Sequence, residues 1–292
     1  MNNKFKVVSI DKALCREWLL KKHYAKRIPS INYSFGLYDN ESGRMIGCCT
    51  YGIPASNNAL LLCGEENKKH AIELNRLIKN DGLPKNTQSW FVAQTFKMLP
   101  KPMIILSYSD CNNGHNGYTY QALNFLYTGE GGATAEYVFR GKQYTSRHLN
   151  KEWIEKRGGK WNDELTINAN FLELGGEILP QKPKHRYVIF LGSKSDKKRF
   201  KKMLKWGVLP YPKKENTNYD TSHQKKTKDV KSYYPPGTDL KALSKNLVEE
   251  YKKQQIIDRW MKANYMSQDE YFEKAKTYKR KNTTFKKDSE LW

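Results

Sequence analysis

The sequence is short of acid. Among 292 residues, 30 Asp and Glu stand against 52 Lys and Arg, a formal net charge of +22. So basic a chain meets a polyanion, with nucleic acid the first candidate, unless the charge serves only solubility. Five cysteines, Cys15, Cys48, Cys49, Cys63 and Cys111, are scattered without a C-x-x-C spacing. An odd, unpatterned set argues against a disulfide framework and for a reducing compartment. No apolar run approaches about 18 residues and no apolar leader precedes a cleavage site, so a cytoplasmic protein without a membrane partner is expected. Two phosphate-binding patterns are missing, G-x-x-x-x-G-K-[ST] and G-x-G-x-x-G, which counts against nucleotide hydrolysis and dinucleotide binding. The H-x-E…P-C-x-x-C signature of zinc base deaminases is missing as well.

What is present is unevenly placed. Residues 1–180 carry 23 Lys+Arg against 17 Asp+Glu, residues 181–213 carry 11 against 1, and residues 214–292 carry 18 against 12. The excess peaks in the short middle segment. There Lys194, Lys197, Lys198, Arg199, Lys201, Lys202 and Lys205 form a dense basic face with Phe200 and Trp206 interleaved. Such a face would hold a nucleic-acid backbone in a strongly salt-dependent way, and it says polyanion rather than base sequence.

The stretch Met103–Gly129 organises the rest. A buried strand from Met103 to Leu106 empties into Ser107, Tyr108, Ser109 and Asp110. An Asn/Gly turn holding His115 comes next, and then an aromatic helix is expected from about Gly117 to Tyr127. Open sheets place their chemistry at such a crest. Around it, strands are expected at Lys6–Ile10, Ala71–Ile78, Thr134–Tyr144 and Arg186–Leu191. A hairpin is expected from Tyr33–Tyr38 and Arg44–Tyr51. Asp11 should cap a helix ending near Tyr24, Asn86 and Thr87 one over Gln88–Leu99, and Ser195–Leu204 should form a third. The fold class is therefore α/β (α+β), a mixed central sheet flanked by helices. Residues 145–184 show no clear pattern. Residues 214–238, rich in Lys, Asn, Thr, Ser and Pro, read as a linker, and 239–292 as a basic helical tail with a last helix over Ser267–Tyr278.

Several residues at the crest are candidates for chemistry. Asp110 is a general base, a hard metal ligand, or only a turn cap. His115, flanked by glycines, completes an acid/base group or is a surface residue. Tyr120 is a proton donor, an oxygen ligand, or core. His23 and Tyr24 end the first helix beside a basic stretch. Arg76, a charge in an apolar strand, requires a carboxylate or an anionic ligand, and Ser89 offers a hydroxyl at a helix start.

Taken together, several segments resemble the phage Mom family of DNA modification proteins. They are His23-Tyr24, Pro29-Ser30, Tyr51-Gly52, Glu73-Leu74-Asn75-Arg76-Leu77, Ser89-Trp90-Phe91, Ser107-Tyr108-Ser109-Asp110, Gly114-His115, Tyr120-Gln121-Ala122 and Lys184-His185-Arg186-Tyr187. The resemblance covers residues 1–213 and implies a GNAT-like acyltransferase fold. It also implies conversion of adenine in double-stranded DNA to its N6-carbamoylmethyl (acetamido) derivative, shielding the DNA from host restriction. It carries functional positions onto His23, Tyr24, Arg76, Ser89, Asp110 and Tyr120, with Arg76 and Ser89 on the donor. It further implies iron, for which His23, Tyr24 and Asp110 would be the ligands. The Gln/Arg-x-x-Gly-x-Gly/Ala loop that holds coenzyme A in GNAT enzymes is absent from Asn80–Asn86, which leaves the acetamido donor open. Two other readings stand beside this one: a GNAT-like acyltransferase acting on a protein or small amine, and a non-enzymatic DNA-binding phage accessory protein.

Overall fold

The computed structural model describes residues 3–111, 115–132, 134–144, 146–212 and 239–263. Its centre is a seven-stranded sheet. Strands β1 (Phe5–Ser9), β2 (Tyr33–Asp39), β3 (Met45–Gly52) and β4 (Ala71–Lys79) form an antiparallel run. The expected hairpin is there: Asp39 accepts hydrogen bonds from the Glu41 amide and the Ser42 hydroxyl, which tightens the turn between β2 and β3. Strand β5 (Met103–Ser109) pairs parallel with β4 and antiparallel with β10 (His185–Leu191), which pairs in turn with β6 (Leu126–Glu130). The order across the sheet is therefore β1-β2-β3-β4-β5-β10-β6.

Two irregularities in β4 shape the middle of this sheet. Its register with β5 runs from Ala71↔Ile104 to Glu73↔Leu106 and stops there, although both strands continue. Just beyond, the Ser107 hydroxyl donates to the Leu74 carbonyl at 2.8 Å. A notch thus opens between the carboxyl halves of the two parallel strands, the position where open sheets take ligands. The register with β3 also slips, Thr50 facing Arg76 and Tyr51 facing Leu74, so Asn75 is an extra residue. Such a bulge reverses the alternation. Before it Ile72 and Leu74 point into one core layer; after it Ile78 points into another. Arg76 therefore joins the face of Glu73 and Ile78 instead of sharing the core with Leu74.

Both faces are covered. Helix α1 (Asn57–Leu60) is a single turn, while α2 (Thr87–Met98) lays Phe91 and Val92 on Tyr51, Leu74, Ile105 and Tyr187. On the opposite face the N-terminal segment, a 3-10 turn (Lys12–Cys15) and a π-helical turn (Trp18–Lys22), seats Trp18 and Leu19 on Cys48 and Ile78. Asp11 caps it as expected, accepting from the Ala13 amide. The expected cap on α2 is not formed. Asn86 is left-handed with no side-chain cap, and the Thr87 hydroxyl donates instead to the Pro84 carbonyl.

The aromatic helix is shorter than expected. Helix α3 is only Tyr118–Gln121; Asn124 turns left-handed and the chain enters β6, so Phe125 and Tyr127 belong to the sheet core. The strand expected over Thr134–Tyr144 is two, β7 (Thr134–Phe139) and β8 (Lys142–Tyr144), because Arg140 and Gly141 both have positive φ and make a hairpin turn. With β9 (Glu177–Gln181) they form a separate three-stranded sheet. Helices α4 (Lys151–Glu155) and α5 (Ile167–Glu173) accompany it, and its own core holds Tyr137, Phe139, Leu149 and Phe171. This is the structure of the unpatterned stretch.

Helix α6 (Lys194–Met203) opens on a Ser193–Asp196 capping box and buries Phe200 against Ala71, Ile104, Leu106 and Val188. Full burial of a phenylalanine contributes about 1.5–3 kcal/mol. The chain divides into two units, Met1–Ser244 and Lys245–Trp292. Helix α7 (Leu240–Ala263) begins where Asp239 accepts from the Lys241 and Ala242 amides. The linker expected over 214–238 and the last helix expected over 267–278 lie outside the described residues. No helix among the described residues is long and apolar enough to cross a membrane.

Candidate functional site

The site gathers on the notch. His23 ends the π-helical turn, its amide donating to Trp18 at 2.9 Å. Its ring stacks on Tyr24, centroids 4.3 Å apart. From the crest, His115 meets the Tyr24 ring edge-on at 6.2 Å. The turn holding His115 is tied back to the strand end: its amide donates to the Asp110 carbonyl at 3.2 Å, and the Ser109 hydroxyl donates to its carbonyl at 2.8 Å.

Tyr24 is 51% exposed as a residue, yet its hydroxyl end is buried beside Asp110. Burial at that end, reinforced by the Asp110 charge, pushes its pKa up to about 12. Tyr24 is therefore a neutral hydroxyl beside a carboxylate. Asp110 also faces Lys184, Nζ to Oδ2 at 3.4 Å.

Tyr120 packs in the core layer beneath, its ring 5.3 Å from those of Phe125 and Tyr187. Burial raises its pKa. Gly117 just before it has no room for a side chain, since a Cβ would come within 2.3 Å of the Tyr187 ring.

Arg76 lies on the same face as Glu73. Its Nη1 donates to the Asn75 carbonyl at 2.6 Å, but its buried Nε has no hydrogen-bond partner. An orphaned guanidinium nitrogen in a cleft is a donor awaiting an acceptor. Burial lowers the Arg76 pKa and the nearby Arg27 lowers it further, while burial raises that of Glu73. His23 is driven down to about 3, first by burial and then by the positive charge of Arg76.

Asn75 holds the two halves of the site together. The Thr50 hydroxyl donates to its Oδ1 at 2.6 Å, and its Nδ2 donates to the Ser30 carbonyl at 2.8 Å. The bulge that aims Arg76 thereby clamps the loop that leads on from His23 and Tyr24.

Residues 4–213 match the model described as the Mom protein family. The chain belongs to the Mom family. A methylcarbamoylase mom of Escherichia phage Mu is 28% identical over 221 residues, 73% of this chain and 85% of that protein. Among solved structures, a putative acetyltransferase from Acinetobacter baylyi matches with TM-score 0.37 and 11% identity, over 65% of this chain and 94% of that one. A putative acetyltransferase from Salmonella typhimurium, solved with acetyl-CoA, gives TM-score 0.35 and 10% identity, over 65% and 95%.

Of the positions expected from sequence in this Mom-family chain, His23, Tyr24, Arg76, Asp110, His115 and Tyr120 converge. Ser89 uses its hydroxyl inside the first turn of α2, donating to the Asn86 carbonyl at 3.1 Å. Glu73, Arg27 and Lys184 join the site without having been singled out for it. Lys184 reaches Asp110 only because β10 pairs with β5, a long-range contact that no local spacing announces.

The donor set His23, Tyr24 and Asp110 does not fit iron. His23 Nδ1 accepts from the Ala25 amide at 3.0 Å, so in the neutral ring Nε2 carries the proton and offers no lone pair. The positive charges of Arg76, Arg27 and Lys184 act on the same ring, and a further dication would meet them.

The seven basic residues around α6 are exposed, but the aromatics between them are not free to stack. Phe200 is core. Trp206 packs against the same layer with the Arg186 guanidinium 3.7 Å from its ring centroid.

Proposed function

We propose that this Mom-family chain transfers a carbamoylmethyl (acetamido) group to N6 of adenine in double-stranded DNA, a modification that would shield phage DNA from host restriction. Family membership and the name of the phage Mu relative support the reaction class. The observation that carries the residue assignment is the placement of Tyr24, half-exposed as a residue, with its hydroxyl end beside buried Asp110 and near the unpartnered Arg76 Nε.

The exocyclic amine of adenine is hidden in the duplex and its lone pair is delocalised, so the base must be flipped out. A flipped adenine would meet the exposed Tyr24 ring. As N6 attacks the methylene carbon of the donor, an N–C bond forms and the bond from that carbon to the leaving group breaks. The leaving group takes the electron pair. The N6 proton passes to the Tyr24 oxygen while the Tyr24 proton passes to Asp110, so phenolate need not form. Arg76 Nε donates to the anionic part of an activated acetamido donor, and Tyr120 with Ser107 lines the notch below. Asp81, in the loop where a GNAT enzyme would cradle coenzyme A pyrophosphate, is instead a carboxylate bonded to Lys22 at 3.2 Å. That arrangement disfavours coenzyme A as the carrier.

The basic face of α6 lies on the same side of the sheet as Glu73 and Arg76, since Phe200 packs on Ala71 and Ile104. From Ile104 to Asp110 along β5 is about 20 Å at roughly 3.3 Å per residue. That is within the roughly 34 Å of one duplex turn, so phosphates on α6 and a base at the notch can belong to one site.

Nucleoside mass spectrometry of DNA from cells expressing the chain tests the proposal. A deoxyadenosine heavier by one acetamido group is expected, and it should vanish with folded Tyr24→Phe and Asp110→Asn. Unmodified adenine with folded wild-type protein would overturn it.

A further inference from the structure

Across the sheet from the Asp110–Lys184 pair lies a second cluster that the proposed transfer reaction does not use. Cys111, Glu130 and His185 come from the ends of three adjacent strands, and one ligand atom from each lies within 4.8 Å of the others. The pairing makes this so: His185 faces Ser109 on β5 and Glu130 on β6, and Cys111 comes two residues after Ser109. His185 Nδ1 is 3.6 Å from Glu130 Oε1 and 3.0 Å from the Tyr127 hydroxyl.

We infer that Cys111, Glu130 and His185 form a binding site for a divalent transition metal of the zinc type. A thiolate, a carboxylate and a neutral imidazole balance a dication, and their mixed softness suits zinc rather than magnesium or calcium. Tetrahedral zinc would draw such donors to about 3.3–3.8 Å apart, given Zn–S near 2.3 Å and Zn–N near 2.0 Å. Closing from a 4.8 Å envelope therefore takes side-chain movement of about an ångström. Glu130, whose side chain is 49% exposed, is free to swing, while His185 is nearly buried and fixed.

The position gives the metal a role. Cys111 succeeds Asp110 and His185 succeeds Lys184, so each member of the ion pair is followed in the chain by a member of the cluster. A metal joining Cys111 to His185 would pin, through their chain neighbours, the two residues that pair at the site. It is a positioning device, and it also places the metal where the charge of Arg76 does not oppose it.

The test uses the full chain stripped of metal by chelator and titrated with cobalt as an optical reporter. One equivalent should bind with a near-ultraviolet thiolate-to-cobalt band, and zinc should displace it. Cys111→Ser should abolish the band, and His185→Gln or Glu130→Gln should weaken binding at least tenfold, while His23→Gln leaves it unchanged. Zinc should raise the melting temperature of wild type but not of Cys111→Ser, a comparison made on the conservative variant of a residue outside the fully buried core. Failure of the wild type to bind, or binding that Cys111→Ser leaves intact, would overturn the inference.

Discussion

Replacing Arg76 with methionine separates two meanings that a buried arginine can have. If Arg76 braces the fold, its loss destabilises the protein. If it waits for a ligand, it is a liability in the empty protein. Its Nε is buried without an acceptor, and leaving such a donor unmet costs about 1–3 kcal/mol. Methionine fills similar space with no donor. Against that gain stand the lost Nη1 bond to the Asn75 carbonyl and the lost attraction to Glu73, the second of which Lys184 and Arg27 partly replace and protonation of Glu73 can relieve, since burial already raises its pKa. The expected net change in stability is therefore between zero and a gain of about 2 kcal/mol. One kcal/mol moves the melting temperature of a domain this size by about 2–4 °C. Activity should move the other way: a hydrogen bond to a charged group is worth about 1.5–3 kcal/mol, or roughly 10- to 150-fold in rate. Calorimetry and nucleoside mass spectrometry on the same preparation read both. A third readout is the His23 pKa, which should rise toward, without reaching, its ordinary 6.5, because burial is the larger cause of its depression and remains. An Arg76→Met protein that melts many degrees lower would refute the reasoning.

Other perturbations probe the rest of the site. Asn75→Ala removes the clamp between Thr50 and Ser30. It should cost about 1–2 kcal/mol by denaturant titration and lower modification more than Asn75→Asp, which keeps the acceptor for Thr50. His23, with its folded pKa depressed to about 3, binds a proton more readily when unfolded. Its contribution is complete above pH 6.5 and falls by up to about 1.4 kcal/mol per pH unit between 6.5 and 3; His23→Gln should flatten acid denaturation in that window. Reversing Lys197, Lys198 and Lys201 to glutamate should weaken DNA binding and reduce its log–log salt slope by about 3, with the melting temperature within a degree or two of wild type, because all three are exposed. An unchanged salt slope would place the DNA elsewhere.

How much of the molecule is legible in its sequence depends on range. The strands of the central sheet, the hairpin and the basic helix obey local periodicity, and they stand where the pattern puts them, whereas the strand expected over Thr134–Tyr144 splits in two at Arg140 and Gly141. The convergence of His23, Tyr24, Arg76, Asp110 and Tyr120 is expected from family likeness more than from chemistry. What stays hidden is what two-residue alternation cannot encode. The bulge at Asn75 looks like any other polar residue in a strand, yet it turns Arg76 from the core layer to the site. Lys184 reaches Asp110 through the pairing of strands some seventy residues apart. The aromatic run after Gly117 carries helix-like spacing, but Asn124 takes a left-handed conformation and Tyr127 serves a strand. Phe200 and Trp206 look like stacking platforms because charge surrounds them; packing uses both. Sequence shows which side chains are near in the chain, and the site is made mostly of those that are not.

The charge balance of the notch bears on which acceptor it would choose. Arg76, Arg27 and Lys184 face two carboxylates, Glu73 and Asp110, and burial inclines Glu73 toward its neutral form. His23, Tyr24 and Tyr120 are all neutral at physiological pH by the directions in which their pKa values are displaced. The cleft is therefore net positive, and it would repel a protonated lysine or small amine, which must lose a proton before it can attack. The amino group of adenine carries no charge and meets no such barrier; its weakness is poor nucleophilicity, which a positioned proton acceptor remedies. The same positive field draws in an anionic donor and the phosphates that flank a flipped base. Selectivity for a nucleobase over a protein amine would then come from repulsion of the wrong acceptor as much as from recognition of the right one. A competing free lysine or polyamine should accordingly be a poor substrate at pH 7, improving as pH rises toward the amine's own pKa, whereas DNA modification should show no such rise.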